Sequence, residues 1–368
     1  MIRRVVVKVG GSVLTNERGR LLPHRVESLV DQLVRCLDEG RQPVLVSSGA
    51  IACGMEKLGL RTRPNALAQL QACAAIGQGE LMHLYARLFG QRKVLAAQVL
   101  LTQEDLADRR RFRNAKQTLL TLLHRRVVPI INENDTVAVE EITFGDNDRL
   151  AALVASAVDA QLLVILSDVD GLLQNGAVVA RVDAPVRLPA ASGRRLKSKR
   201  QITKGGMASK VEAARIVGHS GIPMVIANGT RSGVVAEVLA GKPVGTLFVP
   251  RRSRLTSRKW WIAFALRRPK GRLVIDAGAA DALQERGKSL LASGIRDVAG
   301  RFDAGAFVAV ADQAGTELAR GITNFSSAEL LRVRGMSSAE AAKALGHPRP
   351  REVIHRDHLV LARELSDG

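Results

Sequence analysis

The chain reads as an α/β protein, an open and mostly parallel sheet flanked by helices, followed by a small β-rich domain. Three observations predict this. Short all-apolar runs (VVV at 5–7, VLV at 44–46, VVPII at 127–131, LLVIL at 162–166) alternate with helix-patterned segments, the signature of strands buried on both faces of a parallel sheet. Each run stops abruptly in glycines, serines or an Asn/Asp cluster, as expected where strands reach the ligand edge of such a sheet. Beyond residue 272 the texture changes to brief β-runs separated by Gly-containing turns.

The elements follow in order. A β-branched strand over 5–9 ends at Gly10 and Gly11, and a helix over 22–37 stops at Gly40. A second strand, 44–48, ends at Gly49 and leads to helical segments through 66–88. After a strand over 94–101, Thr102 is placed to cap a helix starting at Gln103. A helix over 112–123 leads to the strand at 127–131, which ends in Asn132, Glu133, Asn134 and Asp135. A hairpin is expected next, then Asp146, Asn147 and Asp148 open a helix continuing over 150–157. A strand at 162–166, a helix at 208–217, a strand at 223–226, a helix at 234–239 and a strand at 245–249 complete a domain spanning 1–250. Residues 251–272 read as a basic linker. The domain over 273–368 shows β-runs at 273–275, 307–311 and 358–361 and a helix over 326–334.

A length of 368 residues exceeds one ordinary core and fits two domains. With 46% hydrophobic but only 3% aromatic residues, the core is expected to be aliphatic. No apolar run approaches the roughly 20 residues of a membrane span, and the start lacks a signal-peptide h-region, so a cytoplasmic protein is expected. The cysteines (Cys36, Cys53, Cys73) lie on predicted helices without CxxC spacing and read as buried free thiols. The net charge is +20, concentrated in two acid-free stretches: 187–204 holds seven Lys or Arg and 250–272 holds nine. Such a field attracts nucleic acid and phosphorylated small molecules, although solvated arginine-rich loops share the composition.

The chemistry is expected at the strand ends. Lys8 lies inside the first strand, next to Gly10 and Gly11, whose backbone N–H groups can approach an anion. Ser48, Gly49 and Ala50 end the second strand, and Ser167 and Asp168 end the strand at 162–166. In TKGGMASK, Gly205 and Gly206 open a helix that carries Lys210 in its first turns. Two glycine-flanked lysines, with Asp168 to orient them, suit a phosphate. The two Asn/Asp clusters suit a small zwitterion. Together they point to phosphoryl transfer onto a small acid. No His/Cys cluster completes a protein metal site. HRDHL, at 355–359, lacks the following DFG of a protein kinase.

The motifs VKVGGSVLT, VLVSSGAI, VPIINENDTVA, FGDNDRLAALVA, LLVILSDVDGL and KGGMASKVEAA resemble, in order, those of the amino-acid kinase family, in particular its glutamate-phosphorylating branch. Residues from 273 on, with LLASGI, AVADQAGTELARGITNFSSAEL and VIHRDHLVL, are similar to a PUA domain. The resemblance implies the amino-acid kinase fold with a PUA-like domain. It also implies phosphorylation of the L-glutamate side-chain carboxylate by ATP with Mg²⁺, the first step of proline biosynthesis. By motif, Lys8 and Lys210 stabilise the transferring phosphoryl group and Asp168 organises them. Lys8, Gly10, Gly11, Ser167, Asp168, Lys204, Gly205, Gly206, Met207, Ala208, Ser209 and Lys210 bind ATP. Ser48, Gly49, Ala50, Asn132, Asn134, Asp135, Asp146, Asn147 and Asp148 form the glutamate pocket. The resemblance further implies a homo-oligomer, inhibition by proline at or near that pocket, and no membrane.

The chain departs from the family pattern at Leu172, at Thr203–Lys204 and in its basic 172–203 segment, near the nucleotide's base and ribose. The competing readings are an RNA-binding PUA protein with a degenerate or secondary kinase domain, and the same fold acting on aspartate or N-acetylglutamate. Intact Lys8, Asp168 and Lys210 argue against the first, and INEND with GDND against the second.

Overall fold

The computed structural model describes residues 2–16, 19–138, 147–183, 206–250, 254–266, 268–346 and 351–365. The chain forms two compact units, Met1–Arg254 and Leu255–Gly368. In the first, the strands are β1 (Arg4–Val9), β2 (Gln42–Val46), β3 (Ala96–Leu101), β4 (Val128–Glu133), β5 (Leu162–Ser167), the short β6 (Leu173–Gln174), β7 (Ala177–Val178) and β8 (Arg181–Val182), then β9 (Met224–Asn228) and β10 (Thr246–Phe248). The helices between them are α1 (Gly11–Leu14), α2 (Pro23–Asp38), α3 (Ala50–Lys57), α4 (Leu67–Gln91), α5 (Gln103–Ala107), α6 (Arg109–His124), α7 (Asn147–Ala157), α8 (Met207–His219) and α9 (Val234–Leu239).

Local chemistry explains these boundaries. Pro23 opens α2 at its first position, where the missing N–H costs nothing. Thr102 and Asp105 form a reciprocal capping box at the start of α5. β4 and β5 are buried along their whole length, so they read as almost unbroken apolar runs. Among the described residues, one sheet has the order β3-β4-β2-β1-β5-β9-β10-β8. It is parallel from β3 through β9, and β10 runs antiparallel to β9.

β1 has β2 on one side and β5 on the other, so the winding reverses between β1 and β5. Crevices form outside the strand ends at such a reversal. Here Gly10 N donates to Leu166 O at 3.0 Å, tying the two ends together. Alternation along β1 sends Val5, Val7 and Val9 into an aliphatic core shared with α2, α4 and α9. Lys8 is sent to the opposite face, over α7.

Helices α3 and α4 pack unusually closely. A Cβ on Gly77 would lie 1.8 Å from Ala50 O and 2.4 Å from Gly54 N, so only glycine fits. Gly49 caps α3 in the left-handed region (φ +109°), turning the chain sharply from β2 into that helix. The two glycines fix where α3 begins and how α4 lies against it.

In the second unit, the helix Ser257–Trp260 continues as a π-turn (Trp261–Ala265) that packs against the unit's own sheet. The segment read as a connection thus contributes a helix to this unit. Its sheet has the order Ile295–Ala299, Gly271–Ile275, Phe307–Ala311, Glu317–Ile322, Leu359–Leu361. The first and fourth of these strands were not anticipated. They carry Arg, Asp and Glu on a half-exposed face, so their apolar residues do not form a run. The helix Ser327–Val333 was anticipated, and Ser326 with Glu329 closes a capping box at its start.

The close α3–α4 contact generates a stability prediction. Gly77→Ala should lose about 1–3 kcal/mol, as overpacking does. Urea unfolding should show a lower midpoint with an unchanged slope. An unchanged midpoint would mean the two helices separate at no cost.

Candidate active site

Two side-chain clusters meet at the ends of β1, β2, β4 and β5. In the first, Lys8 from β1 and Lys210 from α8 share one carboxylate. Lys8 Nζ lies 2.6 Å from Asp148 Oδ1, and Lys210 Nζ donates to Asp148 Oδ2 at 3.0 Å. Ser209 Oγ donates to the same Oδ2 at 2.8 Å. All three charged side chains are buried, with Asp148 only 1% exposed. Burial pushes the Asp148 carboxyl up, but the Lys8 and Lys210 charges outweigh it and hold the group well below the usual carboxylate range. Two cations on one anion leave a net positive charge at this point. Beside it, Gly206 opens α8, and among the described residues no side chain caps it and none lies within 4 Å of a Cβ placed there. The start of a 13-residue helix presents N–H groups of the kind that receive an anion.

The second cluster is built on Asn147, one residue from Asp148 at the start of α7. Its Nδ2 donates to Ser47 O and Ser48 Oγ, both at 2.8 Å, and to Asn132 Oδ1 at 3.0 Å. Asn132 Oδ1 also accepts from Glu133 N at 2.9 Å. Asn132 Nδ2 donates to Gln78 Oε1 at 2.8 Å. Ser47 is held in turn by a 2.9 Å hydrogen bond with the buried Tyr85 hydroxyl. The loop after β2, the end of β4 and the start of α7 are thus locked together by side-chain amides. Because Asn147 and Asp148 are adjacent, the amide cluster and the lysine pair are joined by a single peptide unit.

The expected residues are largely brought together. Lys8, Gly10, Gly11, Ser48, Gly49, Ala50, Asn132, Asn147, Asp148, Ser167 and Gly206 through Lys210 all lie at this sheet edge or on the helices that start there. Asn134 and Asp135 follow β4, half-buried, with Asn134 Oδ1 accepting from Thr136 Oγ1 at 2.6 Å. Asp168 sits exposed at the end of β5, where its Oδ1 accepts from Ser167 Oγ at 3.3 Å. The carboxylate found between the two ammonium groups is Asp148, although the sequence assigned that part to Asp168 and placed Asp148 with the acceptor pocket. Asp146, Lys204, Gly205 and the basic 187–204 stretch lie outside the described residues.

Sequence reasoning missed two residues. Gln78 lies mid-helix, directly after the glycine at the α3–α4 contact, and orients the Asn132 amide. Arg63, in the loop before α4, is half-buried and lies in the field of Asp135; burial holds its guanidinium below its usual value while Asp135 pulls it the other way. Neither follows a strand end, so the rule that located the other residues could not find them. The cysteines take no part in either cluster: all three are free and buried, and burial pushes the Cys36 and Cys53 thiols up to about 11.

An open parallel sheet whose switch point carries two converging lysines beside a helix start is the arrangement of an α/β phosphotransferase. Residues 3–228 match the model of the amino acid kinase family, and residues 271–345 match the PUA domain. The chain belongs to the amino acid kinase family, and within it to the glutamate 5-kinases. It is 46% identical over 374 residues to the glutamate 5-kinase of Moorella thermoacetica, covering 98% of this chain and 96% of that one. Its likeness to the glutamate 5-kinase of Citrifermentans bemidjiense is also 46%, over 368 residues and 98% of each chain. That of Thermus thermophilus matches at 46% over 369 residues, again 98% of each.

The shared carboxylate gives a direct test. Asp148→Asn leaves two buried ammonium groups uncompensated and should cost about 3–5 kcal/mol. Asp168→Asn, at an exposed position, should stay within about 0.5 kcal/mol. Because the folded Asp148 carboxyl is depressed, its stabilisation is complete above the unfolded value near about 3.9 and is lost only as pH falls through the folded value. The Asp148 contribution to wild-type stability should therefore be flat from about pH 8 to about pH 5 and be lost only in stronger acid. Chemical denaturation across that range checks both statements. Equal losses in the two variants would contradict them.

Proposed function

We propose that the protein transfers the γ-phosphoryl group of ATP to the side-chain carboxylate of L-glutamate, giving L-glutamate 5-phosphate, the first step toward proline. The observation that carries this reading is the adjacency of Asn147 and Asp148. One residue anchors an amide-lined pocket and the next holds the two lysines, so acceptor and phosphoryl group would meet across a single peptide unit. The acceptor carboxylate is already ionised near neutral pH, so no general base is required. The work left to the protein is to bring two anions together and to neutralise charge spreading over the phosphoryl oxygens.

In this reading Lys8 and Lys210 face those oxygens, held by Asp148 at the spacing that one carboxylate allows. The N–H groups of Gly10 and Gly11 and of the first turn of α8 receive the other phosphate oxygens. Ser167, Asp168 and the 204–210 segment take the nucleotide. Ser48, Asn147, Asn132, Asn134, Asp135 and the neighbouring Gly49, Ala50 and Asp146 hold glutamate, its ammonium toward the acidic side. Mg²⁺ bound with the nucleotide would neutralise β- and γ-phosphate charge. Among the described residues no group of three His, Cys, Asp or Glu side chains could hold an ion alone. The exposed Asp168 beside Ser167 fits an ion carried mainly by phosphates and one carboxylate.

We further infer a cytoplasmic homo-oligomer inhibited by proline at the glutamate pocket. A second activity, RNA binding, is supported by the PUA match and the net charge of +20. Among the described residues no helix is long and apolar enough to cross a membrane.

ATP turnover with Mg²⁺ and hydroxylamine, which traps an acyl phosphate as hydroxamate, tests the reading. Glutamate should give hydroxamate, and aspartate and N-acetylglutamate should not. Lys8→Ala should lower kcat by about 10²-fold or more, the loss expected for one charge-stabilising group. Silence with glutamate would overturn the reading and bring the RNA-binding alternative forward.

A further inference from the structure

A second cavity opens at the same sheet edge, on the face opposite Lys8. Because side chains alternate along β1, Val9 points away from the lysine cluster. Together with Val13, Leu14, Leu29 and Leu166 it floors a cavity of about 360 Å³ between α2 and the turn after β9. That volume falls within the roughly 300–1,000 Å³ typical of small-molecule sites. Its walls are polar and basic, lined by His24, Arg25, Ser28, Gln32, Thr230, Arg231 and Ser232. Among the described residues no Asp or Glu lines it.

Arg25 is half-buried and gives only Nη1, to Val13 O at 2.9 Å; among the described residues its remaining donors have no protein partner. Arg231 is exposed and reaches Glu237 through Nη2 at 3.2 Å. Arg25, with guanidinium donors to spare, and Arg231, paired on one side with Glu237, both line the cavity, so it offers partners to an oxyanion head, which would not leave water without them.

The cavity is also continuous with the turns of the phosphate site. Val13 and Leu14 end α1, the short helix that starts at Gly11, and Leu166 precedes Ser167. Gly229 N donates to Ser167 O at 2.8 Å. A Cβ on Gly229 would come within 2.8 Å of Leu166 Cβ and 2.9 Å of Val13 Cγ1, so the turn after β9 rests directly on both segments. A molecule seated here would press on the backbone that is proposed to receive the nucleotide.

We propose that this cavity is a regulatory site for a small organic anion, a carboxylate or a phosphomonoester with an apolar body. The anion is held by Arg25 and Arg231 and coupled to nucleotide binding through the turns at Gly10 and Gly229. The coupling rests on the kinase reading, whereas the site itself does not.

Calorimetric titration of the full chain with 3-phenylpropanoate and with phenyl phosphate separates the two head groups. Inorganic phosphate and 3-phenylpropanol serve as head-only and body-only controls. At least one probe should bind saturably, and both controls at least tenfold more weakly. Arg231→Ala, at an exposed position, and Ser28→Phe, which fills the cavity, should each weaken the probe at least tenfold. Lys8→Ala should leave it unchanged. In the hydroxamate assay the bound probe should shift the KM for ATP at least twofold. No saturable binding, binding that survives both cavity variants, or binding lost in Lys8→Ala would overturn the site. Binding without any change in the KM for ATP would overturn its regulatory role. Because the titration needs no turnover, its failure leaves the kinase reading standing, and the reverse also holds.

Discussion

One buried carboxylate sets the geometry of the site. Asp148 accepts from ammonium groups on two elements far apart in sequence, β1 and α8, and sits on a third, α7. Burying three charges is expensive, and such a cluster adds little to stability compared with apolar residues of similar volume. What it provides is position: two flexible lysine side chains are fixed on the same two oxygen atoms, with one unit of positive charge to spare. A neighbouring clamp, Arg149 to Glu212 at 3.3 Å and Arg215 to Glu212 at 2.8 Å, helps hold α7 against α8.

The fold delivers these groups by ordinary means. Parallel strands buried on both faces must end in polar turns, and the reversal between β1 and β5 places several such turns side by side. Lys8 can lie inside a strand because α7 brings Asp148 beneath it; without that partner the ammonium would be a buried unpaired charge. The amide network around Asn147 depends on the α3–α4 contact as well, since Gln78 follows the glycine that lets the two helices touch. Helix–helix packing behind the site thus helps decide the orientation of the Asn132 amide.

Much of this could be read from the residues. The apolar runs marked the longer strands of the first unit along the chain, though not their order in the sheet or the two-residue strands β6 to β8, and Thr102 marked the start of α5 through its capping chemistry. Strand-end polarity found Lys8, Ser48, Asn132 and Asn147 because each lies within or immediately after a motif at the sheet edge. What failed depends on tertiary approach. Asp148 and Asp168 look equivalent in sequence, and only the packing of α7 under β1 decides which of them meets the lysines. Gln78 and Arg63 sit in segments whose local pattern is that of a helix and a loop. In the second unit, Ile295–Ala299 and Glu317–Ile322 carry charges on a half-exposed face, so no apolar run marked them.

The central claim is that Lys8 and Lys210 act as one device held by Asp148. The most direct measurement is a kinetic double-mutant cycle, comparing kcat for glutamate-dependent hydroxamate formation in Lys8→Ala, Lys210→Ala and the double variant. Groups that act as a unit lose most of their effect with the first substitution. The double variant should therefore lose little more activity than the worse single variant. A double variant whose loss equals the product of the two single losses would contradict the claim and make the lysines independent contributors.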